Sequence, residues 1–556
     1  MRGLIWAPRV ALAVVLVLAL GLRLWGLDWQ LPWQFHPDEG HYTWKAMELL
    51  ERDSLNPRYF RNPSLFTYVL LGQYKLLGFE PAKASQATTT DGHFRPPSGV
   101  AFVGRLNVAL MGAATVAAVA WIGRHLLGPW TGVLSALFLG VAFIHVRDSH
   151  YATNDVPATF LLTLSVAACL AIVRRPTWQA YLLAGLFGGL ATSTKYNAGL
   201  FVAPLLAAHA VAVWRAWRGG KLPPQPVRSA VFPLALAGGV SLAAYLAGTP
   251  HTVLDFPKFW ADFRTQSNFM MERWEGQATL PPGVPYLLAL GQGMGWVMLG
   301  LAAIGLGLLA RRAPSAVLVL AAYPIAYLLF MLASELFFVR FALPVVPFLC
   351  ILAACTVVLL ARTVRAAGRD APIGPEISGR GRAGLVGVGL VLAAVLQPTM
   401  DSVCHNLLVM QDDTRALATR WALDNIRPGE KVLVEEYTIR DEVPREYGRP
   451  VWGLDMDELD VNGVSRSEPT APLRGSARYI IISSFQYERF SRGPGRAERQ
   501  GVFYSTLDRD WRLVAEFAPG RGSEPLPFDL EDIYTPFSDL GRYERPGPTV
   551  KVYKRP

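Results

Sequence analysis

The chain has 556 residues, 52% of them hydrophobic and only 17% charged, with a mean hydropathy of +0.26. Soluble domains carry about a quarter charged residues, so an ordinary water-soluble protein of this length is excluded. The net charge of +10 concentrates in short loops between apolar runs, where basic residues set membrane topology. It calls for no nucleic-acid partner.

Apolar runs long enough to cross the ~30 Å hydrocarbon layer as helices lie near 9–26, 98–121, 128–146, 155–173, 178–194, 197–214, 229–248, 286–310, 313–333, 338–361 and 383–399. These are eleven predicted spans, helical because lipid offers no partner to free backbone N–H and C=O groups. In the first, Arg2 and Arg9 precede an apolar stretch from Val10 to Leu22, as in a signal peptide. The run continues through Arg23, Leu24, Trp25 and Gly26 without a small-residue cleavage site, so an uncleaved first span is expected.

Two connecting segments, 27–97 and 249–285, are too long for simple connectors, and long loops in compact proteins are usually functional or disordered. In the first, Tyr42, Ala46, Met47, Leu49 and Leu50 form an apolar stripe at helical spacing, and a second such pattern runs from Pro63 to Leu77. Both predict amphipathic helices lying along the membrane surface. The stretch from Ala84 to Gly99, rich in Thr, Gly and Pro, reads as a mobile loop.

With the N-terminus in the cytoplasm, the inside loops hold Arg124, Arg174, Arg175, Arg215, Arg218, Lys221, Arg228, Arg311, Arg312, Arg362, Arg365, Arg369, Arg380 and Arg382, against the acids Asp370 and Glu376. An odd number of spans then puts everything after about residue 400 outside. That tail changes character. A polar helix, TRALATRWALDNI, precedes KVLVEEY, ARYIIISS, WRLVAEFAP and VKVYKRP, which read as strands bracketed by Gly, Pro and Asp. The expected architecture is a polytopic α-helical membrane domain, 1–399, with amphipathic helices in its first outer loop, 27–97, followed by an extracytoplasmic α/β domain, 400–556. Cys169, Cys350 and Cys355 lie in apolar spans and Cys404 stands alone, so neither a CxxC metal pair nor a disulfide framework is present.

On this topology the ionisable residues near hydrocarbon gather on the outer side: Asp38, Glu39, Arg105, Arg147, Asp148, His150, Asp155, Lys195, His251, Asp255, Glu335 and Arg340. Such groups are costly there and usually mark function or mutual pairing. Two readings compete at each. Asp38 and Glu39, after Pro37, are either helix-capping acids or a general base at the membrane surface. Arg147, His150 and Asp155 are either snorkelling and capping residues or part of a site. Asp38, His150 and Asp155 are the candidates for a divalent metal, a weak donor set with one His and scattered carboxylates. Lys195 and Arg340 sit beside apolar spans on the face poor in short-loop basic residues, where a planar guanidinium and a point charge suit phosphate. A base next to cations at a lipid boundary fits attack on a sugar carbon while a lipid phosphate leaves. No Walker loop or Ser–His–Asp pattern competes with these residues.

The string HPDEGHYTWKAMELLERDSLNPRYFRNPSLFTYVLL resembles the first outer loop of dolichyl-phosphate-mannose–protein mannosyltransferases and aminoarabinose transferases, within the GT-C superfamily of glycosyltransferases. RDSHYATNDVPATF, GLATSTKYNAGLFVAP, GTPHTVLDFPKFW and VRFALPVVPFL resemble later landmarks in the same order, and DTRALATRW the start of the outer tail. The resemblance covers roughly 30–430 and rests on the ordered set. It implies an inverting enzyme of the plasma membrane that takes sugar from a polyprenyl phosphate, with no required cofactor and room for a divalent metal. The acceptor is a lipid, a glycan or a protein. By the same resemblance Asp38 is the base with Glu39 its partner, and Asp155 a second acid oriented with Arg147 and His150. Lys195 and Arg340 are then the lipid-phosphate ligands. Phe341 departs from the Tyr common at that place, and the tail lacks the repeated β-domains of eukaryotic protein mannosyltransferases. A transporter would favour inverted repeats and charges at the bilayer midplane, whereas a non-catalytic binding or assembly protein would tolerate replacement of Asp38.

Overall fold

The structure, a computed structural model, describes every residue except 1, 32, 81–97, 220–225, 278, 368–378, 440–450, 457, 458, 463, 465–467, 492–496 and 523–525. Most of the loop expected between Ala84 and Gly99 lies outside the described residues. Each predicted span contains a helix. Among the described residues eight helices are long and apolar enough to cross a membrane, or nine when one sharply bent pair counts as a single span. The expected count of eleven is therefore too high by this measure.

Three predicted spans account for the difference. The run at 286–310 is two helices, Val284–Met294 and Trp296–Arg312, meeting at 111°. The corner is Gly295, whose φ of +90° L side chains avoid and where an added Cβ would stand 3.0 Å from Pro398 Cδ. The run at 128–146 splits at extended Ala142 into Pro129–Val141 and Phe143–Asp148. The run at 178–194 yields only the 15-residue helix Trp178–Thr192. At ~1.5 Å per residue a helix of that length falls short of the ~30 Å hydrocarbon core. In the other direction, the helix predicted over 383–399 spans Gly379–Val409 and so runs past the expected start of the tail.

The first long loop, 27–97, contains the two expected amphipathic helices, Gly40–Glu51 and Leu65–Leu76. Their apolar stripes, Tyr42, Ala46, Met47 and Leu49 on one and Phe66, Leu70, Leu71 and Tyr74 on the other, are buried in the main core of the membrane domain.

The tail folds as the helix Thr414–Asn425 and a six-stranded sheet of order β3-β2-β1-β4-β6-β5. The strands are β1 (Val432–Glu435), β2 (Val451–Asp455), β3 (Asp460–Val461), β4 (Tyr479–Ser483), β5 (Arg512–Phe517) and β6 (Val550–Lys554). The centre, β2-β1-β4, is parallel, and the flanking pairs are antiparallel. β1 and β4 are buried along their whole length and read as continuous apolar runs, as central parallel strands do. Helices Ser484–Ser491 and Ala497–Asp510 complete the domain.

One segment of the tail does not stay with the sheet. Ile533, Tyr534, Phe537, Leu540 and Tyr543 belong to the same buried apolar cluster as the membrane helices. Phe537 stacks on Phe143 with centroids 5.2 Å apart. Aromatic burial of this kind holds the C-terminal domain against one rim of the helices.

Candidate active site

The chemistry-bearing side chains stand where apolar helices start or break. Asp38 lies in the turn that opens helix Gly40–Glu51, Asp155 begins helix Asp155–Arg174, and Lys195 precedes the 3-10 turn Tyr196–Phe201. Arg340 sits in the 3-10 turn Val339–Val345. Such interruptions free backbone groups and point side chains at one rim.

Two acid–cation pairs form there. Asp38 Oδ2 lies 3.0 Å from an Arg340 terminal nitrogen, and Asp155 Oδ1 is paired with Lys195 Nζ. The Phe341 ring connects them, 5.5 Å from Lys195 Nζ and 5.7 Å from Arg340 Cζ. The charges of Asp38 and Asp155 both act on Arg340. Neither Asp38 nor Glu39 caps the helix that follows them, and Asp155 makes no cap either. Both pairs are partly open, with Asp38 29% and Arg340 14% exposed, so a substrate can reach them.

The turn carrying Asp38 is fixed from beneath by His36. The His36 ring packs between Tyr151, 4.4 Å away, and Tyr534, 4.6 Å away, and its Nδ1 accepts from the Asp38 backbone N–H at 3.2 Å. Burial, reinforced by Arg340, Arg147, Arg105 and Arg415, holds the His36 imidazole well below its usual range. The ring is thus neutral, as an accepting Nδ1 requires.

Three residues expected in the site lie elsewhere. Glu39 turns inward and is fully buried, its carboxylate meeting Arg105 through Nε at 2.7 Å and a terminal nitrogen at 2.8 Å. Arg147 donates to Glu531 Oε2 and to the Thr535 carbonyl, both at 2.8 Å, and so joins the membrane helices to the tail. His150 is buried with Nδ1 2.9 Å from the Val146 carbonyl and Nε2 3.0 Å from that of Trp25. Next to Arg147, Asp148 is buried, and burial pushes its carboxyl up to about 7 against the opposing pull of Arg147. Among the described residues no three His, Cys, Asp or Glu side chains come together as metal ligands. Asp38 and Asp155 each face a cation and His150 is tied to backbone, so the three metal candidates do not converge on one point.

The structure also adds residues that no sequence pattern singled out. His41 stacks on Tyr59 with centroids 5.3 Å apart, and both feel the charge of Asp38. Tyr534 comes from the tail and packs on Arg340 with Cζ 5.0 Å from its ring. The sequence offered a hint only for His41, in HPDEGHYTW.

The profile of the dolichyl-phosphate-mannose-protein mannosyltransferase family matches residues 13–246. The archaeal oligosaccharyltransferase AglB from Archaeoglobus fulgidus, in complex with an inhibitory peptide and a dolichol-phosphate, superposes over 99% of this chain and 88% of its own, with a TM-score of 0.58 at 10% identity. ArnT from Cupriavidus metallidurans, in its apo state, superposes over 93% of this chain and 97% of its own, with a TM-score of 0.53 at 16% identity. The chain therefore shares its fold with these two proteins. An uncharacterized protein of Aquifex aeolicus is 27% identical to this chain over 198 residues, 34% of this chain and 35% of the relative. The aligned stretch thus spans about a third of that relative's length. The breaks that carry Asp38, Asp155 and Lys195 all fall inside the stretch matched by the mannosyltransferase profile, while Arg340 and the tail lie beyond it.

Proposed function

We propose that this protein is an inverting glycosyltransferase of the GT-C superfamily that moves a sugar from a polyprenyl-phosphate donor to an acceptor at the outer face of the membrane. The observation that carries the reading is the pair of acid–cation contacts, Asp38–Arg340 and Asp155–Lys195, gathered around Phe341 at one rim of the helices. ArnT has been seen bound to undecaprenyl phosphate, and AglB with a dolichol-phosphate, which supports a lipid-phosphate donor for this chain.

In this mechanism the donor phosphate settles against Lys195 and Arg340 and takes over the guanidinium that Asp38 holds in the free protein. An Asp38 oxygen is then released toward the acceptor. Asp38 removes the acceptor's proton as its oxygen or nitrogen attacks the anomeric carbon from the side opposite the phosphate. The bond from that carbon to the phosphate oxygen breaks, and the polyprenyl phosphate leaves with the electron pair. The charge growing on it is stabilised by the two cations, which are already placed before the reaction begins. Asp155 keeps Lys195 in position. The acceptor is a lipid, a glycan or a protein, and the site geometry favours none of the three.

Arg340→Ala is expected to lower kcat/KM for a polyprenyl-phosphate sugar by about 10- to 100-fold, the loss of one or two charge-assisted hydrogen bonds. Arg340→Lys is expected to keep part of it, because only the guanidinium offers a fork. Equal turnover by wild type and both variants would remove Arg340 from the donor site.

The reading also places the protein in the plasma membrane with its N-terminus in the cytoplasm and its sheet domain outside, on the strength of the basic inside loops. Reporter fusions after Arg218 and Arg312 should then report cytoplasm, and one at Ser484 the outside. A cytoplasmic reporter at Ser484 would put the site on the wrong side for this function.

A further inference from the structure

Arg340 has more partners than a cation that merely neutralises Asp38 would need. Its guanidinium carbon lies 4.3 Å from the Phe338 ring and 5.0 Å from the Tyr534 ring. Tyr534 is 3% exposed and also packs on His36, whose Nδ1 holds the Asp38 backbone. A single side chain of the tail therefore touches the supports of both the proposed base and the proposed phosphate ligand.

The segment around Tyr534 is bolted on both sides. Before it, Glu531 accepts from Arg147 at 2.8 Å and from the Val339 backbone N–H at 3.0 Å, the residue next to Arg340. After it, the Thr535 carbonyl accepts from Arg147 at 2.8 Å, and its hydroxyl bonds Tyr151 and lies 3.0 Å from His405 Nε2. Val339, Arg147, Tyr151 and His405 all belong to the membrane domain.

We propose that Tyr534 is a positioning residue for the transfer reaction, through which the C-terminal domain holds the Arg340 guanidinium in place when Asp38 lets go of it. The proposal rests on the glycosyltransferase reading above. An arginine side chain has many rotamers to lose. If Asp38 were its only anchor, the arrival of a donor phosphate would have to compete for Arg340 and order it in the same step. The Tyr534 ring keeps the fork aimed while one partner is exchanged for another. This preorganisation lowers the cost of binding the lipid phosphate. It also makes the tail, which lies beyond the profile-matched part of the chain, a required wall of the site.

The test is a double-mutant cycle on the full-length purified protein, with undecaprenyl phosphate as the probe for binding and the melting midpoint as the check on folding. Tyr534→Leu removes the ring that faces Arg340, and Tyr534→Phe keeps it. Tyr534→Leu should stay folded, bind undecaprenyl phosphate about threefold to tenfold more weakly, and raise KM for the donor more than it lowers kcat, while Tyr534→Phe should behave as the wild type. In an Arg340→Ala background Tyr534→Leu should have no further effect, since the two residues act as one unit. Equal losses in both backgrounds would show that Tyr534 acts elsewhere and overturn the proposal. So would an unchanged affinity of Tyr534→Leu alongside a weakened Arg340→Ala, which would leave the donor reading intact. If Arg340→Ala itself binds undecaprenyl phosphate as the wild type does, the donor reading falls and this inference with it.

Discussion

Asp38→Asn is expected to leave the protein folded and to cut turnover of a polyprenyl-phosphate sugar by ~10²–10⁴-fold, the usual cost of removing a general base. The substitution is isosteric. Asn keeps the turn at His36–Glu39, because the hydrogen bond there uses the Asp38 backbone N–H and not its side chain. It also keeps an oxygen that can accept from Arg340, now 3.0 Å away. What it loses is the ability to take a proton. A helix-capping Asp would be replaced by Asn at almost no cost, but the Asp38 side chain makes no cap, so that route to a neutral outcome is closed on structural grounds. The measurement is turnover per folded molecule, with the melting midpoint taken on the same sample. Near wild-type turnover would sink the base assignment and move it to Asp155, the other carboxylate on this rim. It would equally favour a binding or assembly role, in which the charge at position 38 is dispensable.

The helices and most strands were legible because their signal is local. A run such as the one at 338–361 needs no partner to declare itself, and β1 and β4 are apolar from end to end. β2 was missed because Gly453 and Asp455 interrupt its pattern, and β3 is only two residues long. The breaks in the helices were less visible. Nothing in GQGMGW shows that Gly295, among several glycines, takes the positive φ that bends the predicted span.

The site was legible to the extent that its members announce themselves as charges beside hydrocarbon. Asp38, Asp155, Lys195 and Arg340 were all named from that single fact, and the fold brings them together. The same fact also named Arg147, His150 and Glu39, which the structure uses for other contacts. Sequence position shows that an ion in this setting needs a partner, but not which one. Arg147 finds Glu531 and His150 finds two backbone carbonyls, across separations with no periodicity to reveal them. Tyr534 was invisible for the same reason, since its contact with Arg340 joins two parts of the chain that no pattern links.

Glu39 is the case where neighbours in sequence part company in structure, and its substitution should show it. The carboxylate is fully buried and accepts only from donors: Arg105 Nε and a terminal nitrogen, and the Ala152 backbone N–H at 2.9 Å. Arg105 spends its remaining terminal nitrogen on the carbonyls of Leu27 and Trp29, at 3.2 and 2.7 Å, so the pair ties the loop before Asp38 to the helix Ser98–Leu127. Removing one member leaves the other charged and unpaired inside the protein, which costs about 3–5 kcal/mol. Glu39→Ala and Arg105→Ala should each lower the melting midpoint sharply. Glu39→Gln should do nearly the same, because its NH₂ must face either a guanidinium or an N–H, and donor then meets donor. Replacing both residues by Leu should destabilise less than either Ala substitution, since no buried charge then remains. If Glu39 instead worked on the substrate beside Asp38, Glu39→Gln would melt with the wild type and fail in turnover alone. That outcome would return Glu39 to the chemistry and leave the fold of the first outer loop to other contacts.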